Sequence, residues 1–125
     1  MAKCSLFVPA IAAVLVGLAA GPAAAADPEV LKVSVSANGD GTYTFSTTLK
    51  HPDTGWDHYA DGWSVEDADG KVLGMRVLYH PHVNEQPFTR SLGRVAVTAG
   101  TKAVFVRAHC KVTGAGEERF RVTLP

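Results

Sequence analysis

Apolar and polar residues alternate one for one through most of the chain after residue 26, the pattern of half-buried strands, and no helical stripe of useful length interrupts it. Leu31, Val33 and Val35 alternate with Lys32, Ser34 and Ser36. Tyr43, Phe45, Thr47 and Leu49 alternate with Thr44, Ser46 and Thr48. Trp63 and Val65 mark a third strand, 72–79 a fourth, 88–97 a fifth with a bulge near Gly93, 103–112 a sixth and 119–124 a seventh. Turn clusters separate them: Asn38-Gly39-Asp40-Gly41, the hairpin signal Asp69-Gly70, Ala99-Gly100 and Gly114-Ala115-Gly116. Short strands punctuated at roughly ten-residue intervals predict an all-β, antiparallel β-sandwich of about seven strands.

The first 26 residues follow different rules. Lys3 precedes an uncharged apolar run from Leu6 to Ala20, Gly21-Pro22 breaks any helix, and Ala24 and Ala26 supply the small residues of a cleavage site. This is the layout of a signal peptide, with the cut expected before Asp27. A retained membrane helix is the weaker alternative, because Pro9 interrupts the run and it falls short of the roughly 18–20 residues that span a bilayer. No cysteine stands at the cut to take a lipid, and Cys4 leaves with the peptide. The expectation is a signal peptide at 1–26 and a single domain at 27–125, exported to the periplasm or secreted, with no membrane span in the mature chain.

Composition narrows the function. The chain has 12 basic and 12 acidic residues, and Lys3 is the one charge in the leader, so the mature part carries a net charge of −1. Nothing in that balance favours nucleic acid or an anionic membrane. The 99 residues left after the leader are enough for one core without disulfide staples. Cys110 is the mature chain's one cysteine, so an internal disulfide is impossible. A buried thiol, an intermolecular bridge and a metal ligand remain open for it.

The closing hairpin, in which Val104, Val106 and Ala108 alternate into Gly114 and Gly116 and are followed by Phe120, Val122 and Leu124, resembles that of immunoglobulin-like and fibronectin III-like domains. Two other stretches, HPDTGWDHYADGW after Lys50 and HPHVNEQPFTRS from His80, look like segments of small exported bacterial proteins of undefined function. That likeness implies no activity.

In an antiparallel sandwich successive loops alternate between two poles. Both unusual stretches then fall at one pole, together with the turn after the sixth strand. The five histidines follow this parity: His51 and His58 in the first loop, His80 and His82 in the second, His109 near the end of the sixth strand. Neutral imidazole is a favoured ligand for transition metals. The candidate ligands are therefore His51, His58, His80, His82 and His109, with Glu85, Asp57 and Asp53 as ligands or as partners that fix a tautomer. Imidazole with carboxylate points to copper or zinc rather than to calcium or magnesium. A protein that carries, buffers or senses such an ion outside the cytoplasm is the first expectation.

The plainer readings are ordinary surface loops, with His-Pro-His as a rigid loop entry. Strict alternation puts Cys110 on the core face with Val104, Val106 and Ala108, where it packs as a small hydrophobe. A bulge at the strand end would be needed to turn it outward into a Cys-His copper site. Trp63 is expected in the core. Trp56 and Tyr59 either pin their loop or, with Arg90, bind a periplasmic or extracellular protein or a glycan. Arg90 is expected to pair with Asp57 or Asp61 and join the loops. Ser91 near histidines raises hydrolysis, but no nucleophile elbow accompanies it, and a non-enzymatic, monomeric protein is expected.

Overall fold

The structure, a computed structural model, describes residues 27–125; the expected signal peptide at 1–26 lies outside the described residues. The fold is all-β, with eight strands among the described residues: β1 (Glu29–Ala37), β2 (Thr42–Lys50), β3 (Ala60–Glu66), β4 (Val72–Val77), β5 (Phe88–Ala96), β6 (Ala103–Cys110), β7 (Gly114–Ala115) and β8 (Phe120–Thr123). Every pairing is antiparallel. One sheet has the order β1-β2-β5; in the other, β4-β3-β6 is extended by β7 and β8, both paired to β6. The strand beyond the seven expected is the two-residue β7, where the sequence indicated only a turn.

Side-chain alternation turns this topology into a sandwich. Along β6, Val104, Val106, Ala108 and Cys110 are buried, while Ala103, Phe105, Arg107 and His109 are not. Along β2 the buried positions are Phe45, Thr47 and Leu49. Trp63 and Val65 of β3 meet them, and Leu78, Phe88, Val95 and Val122 complete one cluster. Removing a side chain such as Leu49 or Phe45 from water contributes about 1.5–3 kcal/mol. Trp63 lies opposite Ala108 on one side and Arg76 on the other. It is fully buried, as the alternation requires.

Two irregularities bear on the site. The register of β2 with β5 shifts between Tyr43 and Phe45, opposite Val95 and Leu92, and Arg94 takes a positive φ of 55°. This is the bulge expected near Gly93. The second shift lies in β3, between Ala60 and Gly62, opposite Cys110 and His109. The extra residue thus sits on the partner strand, and β6 keeps its alternation to the end. Cys110 stays on the core face, 1% exposed.

The loops gather at the poles as the parity argument requires. The backbone N–H of His82, in loop 78–87, donates to Asp53 Oδ2 of loop 51–59 at 2.7 Å. The N–H of His51 donates to Gln86 Oε1 at 3.0 Å. Lys111 N–H, just after β6, donates to the Tyr59 carbonyl at 3.0 Å. Among the described residues no helix is long and apolar enough to cross a membrane.

Gly62, at the β3 bulge, tests this packing. A Cβ there would lie 2.6 Å from Met75 Cε and 2.9 Å from the backbone oxygen of Arg76. The methionine end can swing away, but the carbonyl cannot. Gly62→Ala is expected to cost about 1–3 kcal/mol, read as a lower urea midpoint with an unchanged m-value.

Candidate metal centre

The alternation that builds β2 does not stop at its last residue. Phe45, Thr47 and Leu49 are buried; exposed Lys50 follows, then buried His51, exposed Pro52 and buried Asp53. His51 and Asp53 therefore enter the upper end of the core on the inward track of the strand. Cys110 reaches the same end as the last inward residue of β6. His58 arrives by a local fold-back: Thr54 N–H donates to the His58 carbonyl at 3.0 Å, and His58 N–H to the Gly55 carbonyl at 3.2 Å. Gly55 sits at φ 150°, where a side chain would strain the backbone. The turn brings the His58 ring edge-on to His51, with centroids 4.7 Å apart.

One ligand atom each from His51, His58 and Cys110 lies within 4.8 Å of the other two. Three ligands around one ion need separations of this order, given metal–nitrogen distances of about 2.0–2.1 Å and metal–sulfur distances of about 2.3 Å. The protonation of His51 follows from its neighbour. Asp53 Oδ1 is 2.5 Å from His51 Nδ1. A carboxylate only accepts, so Nδ1 carries the proton and Nε2 keeps its lone pair. That Nε2 is buried without a hydrogen-bond partner, and so is Nε2 of His58. An unsatisfied buried polar atom costs about 1–3 kcal/mol. The same two residues each bring a ring nitrogen within 4.8 Å of the Cys110 thiol, a donor set that could hold a cation.

Asp53 is the hub behind it. Besides His51 Nδ1, its Oδ1 accepts the Ala60 N–H at 2.9 Å, and its Oδ2 accepts the His82 N–H at 2.7 Å. Its side chain is completely buried. These bonds tie together the end of β2, the start of β3 and loop 78–87. Gln86 adds a second tie, since its Nε2 donates to the His82 carbonyl at 2.9 Å while its Oε1 accepts from His51. Sequence reasoning placed no role on Gln86, and no spacing marks it out.

The remaining candidates stand outside the donor cluster. His80 is exposed, its Nδ1 3.3 Å from the Pro81 carbonyl. His82 is buried, stacked on Phe88 with centroids 3.9 Å apart, and its Nε2 faces Arg90 Nη2 at 3.0 Å. Since guanidinium only donates, that nitrogen is an acceptor already in use. His109 lies on the outer face of β6, its Nε2 3.3 Å from Ser64 Oγ. The sheet separates it from Cys110, because neighbouring residues on a strand face opposite ways. Glu85 is largely exposed and 3.6 Å from Arg90, and Asp57 is exposed. Arg90 does not make the expected pair with Asp57 or Asp61. It turns to Glu85, His82 and the Thr89 carbonyl, all close to its own strand end. Trp56 is 62% exposed and meets half-buried Tyr59 edge-on at 5.9 Å. Its carbonyl accepts a 2.7 Å hydrogen bond from Lys111 Nζ.

Cys110 stays on the core face, as strict alternation led us to expect. No bulge turns it outward; His51 and His58 come to it over the end of the core.

Burial holds the His82 pKa below the ordinary value of about 6.5, helped by the positive charge of Arg90 and by His80; Glu85 and Asp53 oppose the shift. A histidine kept neutral in the fold contributes stability that is fully present above its unfolded pKa. This stability is lost as pH falls from there toward the lower folded value. Denaturant midpoints are therefore expected to drop as pH is lowered from about 7 through the window beginning near 6.5. His82→Gln should flatten that part of the profile; an unchanged slope would remove His82 as its source.

No family model matches the chain, and no solved structure is matched. Among curated proteins it is similar to one named "Putative lipoprotein" from Halomicrobium mukohataei, 42% identical over 90 residues. Those residues are 72% of this chain and 44% of the relative, so the match spans less than half of the relative's length.

Proposed function

We propose that this is an exported, non-enzymatic protein that binds one transition-metal ion, copper or zinc, through His51, His58 and Cys110. One observation carries the reading: His51 and His58, each with a buried and unpartnered Nε2, bring ring nitrogens together with a buried thiol. Asp53 supports it by fixing His51 as the tautomer that offers Nε2, the arrangement in which a carboxylate raises the basicity of a ligating histidine. Thiolate and imidazole suit copper and zinc, whereas calcium and magnesium prefer oxygen donors. Export is supported by the leader-like N-terminus and by the similarity to a protein named as a lipoprotein. Holding an ion at the end of a preformed core fits carriage, buffering or sensing outside the cytoplasm. Partner or glycan binding at the same pole is the second reading, favoured by the exposure of Trp56 beside Tyr59. It requires no metal.

Calorimetric titration of the tag-free protein with Zn(II), and with Cu(I) under argon, is expected to show one ion bound per chain. His58→Gln and Cys110→Ser should each abolish tight binding. Asp53→Asn should weaken it about 10–100-fold, the usual cost of losing a carboxylate behind a ligating histidine. His80→Ala and His109→Ala should leave it unchanged. Binding that survives His58→Gln and Cys110→Ser but is lost in His80→Ala would move the site to the second loop. Absence of binding would leave the Trp56 surface as the functional reading.

A further inference from the structure

We infer that the ion is copper and that the site exchanges one electron, holding Cu(II) and Cu(I) in the same three-ligand geometry. This rests on the metal-binding reading above and adds the identity of the ion and its chemistry.

The donor count is the first argument. A structural zinc site has four protein ligands, and a catalytic one fills its open position with water. Here three donors converge. The nearby carboxylate is not a fourth, because the oxygens of Asp53 are taken by His51 Nδ1 and by the Ala60 and His82 N–H groups. His51 and Cys110 are shut off from solvent, and only half-buried His58 reaches the rim. Two imidazoles and one thiolate, with no strong fourth donor among the described residues, form the set that supports copper electron transfer.

Charge is the second argument. The Cys110 thiolate neutralises Cu(I). Cu(II) adds one positive charge, transmitted to His51. Directly behind His51 stands Asp53, a fully buried carboxylate held by N–H donors, with no lysine or arginine in ion-pair contact among the described residues. A buried anion without a counter-charge is costly, and the extra charge of the oxidised ion offsets it. Rigidity of the donor positions favours the same exchange. His51 and Cys110 sit on the inward tracks of β2 and β6, and Asp53 and Gln86 tie the loops. Neither valence has to reorganise the fold.

The step is balanced simply. Cu(II) bound to His51, His58 and the Cys110 thiolate takes one electron and becomes Cu(I) on the same ligands; no bond breaks and no proton moves. The partner is a one-electron carrier, which is oxidised by one unit. Half-buried His58, beside exposed Trp56, is where such a carrier approaches.

The test uses protein purified from the envelope fraction of cells expressing the full chain. It is loaded with one equivalent of Cu(I) under argon, then oxidised with one equivalent of hexacyanoferrate(III). The expected result is an intense visible thiolate-to-Cu(II) absorption that bleaches with one equivalent of hexaammineruthenium(II) and returns on reoxidation. Cys110→Ser should lose the band. His58→Gln, altered at the solvent rim, should keep its fold by circular dichroism and shift or lose the band, so that the test stands even if the cysteine variant unfolds. Asp53→Asn should move the reduction potential upward, since it removes the charge that stabilises Cu(II). If Zn(II) or Cu(I) binds but oxidation expels copper or yields a Cys110-linked dimer without the band, the electron-transfer inference falls and the metal-binding reading stands. If neither ion binds, both fall.

Discussion

A single buried carboxylate organises the upper pole of this protein. Asp53 accepts hydrogen bonds from a side chain on its own loop, from the first backbone amide of β3, and from the backbone of a loop almost thirty residues further on. An ionised side chain at full burial is tolerable only when such donors surround it. The surrounding backbone is therefore constrained as tightly as the carboxylate. Removing Asp53 would leave two backbone amides and an imidazole N–H to find other partners. It would also release the second loop from the first.

The constraint works because the core beneath it is regular. The inward tracks of β2 and β6 run without a break to the same pole, and each delivers one donor there: His51 one step beyond β2, Cys110 at the last residue of β6. The donors inherit their positions from packed strands rather than from flexible loops. His58, held by the tight turn at 54–58, is the candidate donor placed by a loop fold-back.

The outer face of the second sheet carries a separate polar cluster. Glu66 is buried and accepts from Arg107 Nε at 2.8 Å, Ser64 Oγ lies 3.3 Å from both Glu66 Oε2 and His109 Nε2, and Arg119 stacks over Phe105. It explains where His109 is employed. Buried ion pairs of this kind secure geometry more than net stability, and here Arg107 also reaches the Gly116 carbonyl, tying β6 to the segment after β7. The fifth histidine thus belongs to the scaffold.

Alternation was legible in the sequence, and with it went most of the fold. Tyr43 to Leu49 and Val104 to Ala108 alternate so regularly that their core faces follow from chain geometry alone. The burial of Trp63, the bulge near Gly93 and the gathering of two histidine-bearing loops at one pole follow from the same source. The donor set did not. Period two says that Cys110 points inward, yet it cannot say that a loop will fold back over the end of the core and bring His58 to it beside His51. His80 and His82 were candidates on the same footing, and the structure engages His82 with Arg90 and Phe88 instead. Which imidazoles keep a free lone pair depends on which side chains reach the rings: Asp53 at His51 Nδ1, Arg90 at His82 Nε2 and Ser64 at His109 Nε2. Local sequence determines which face of a strand a residue occupies, because that is a property of the backbone. Only the tertiary structure decides which buried nitrogens remain without a partner, because that depends on the whole set of groups competing for the same protons.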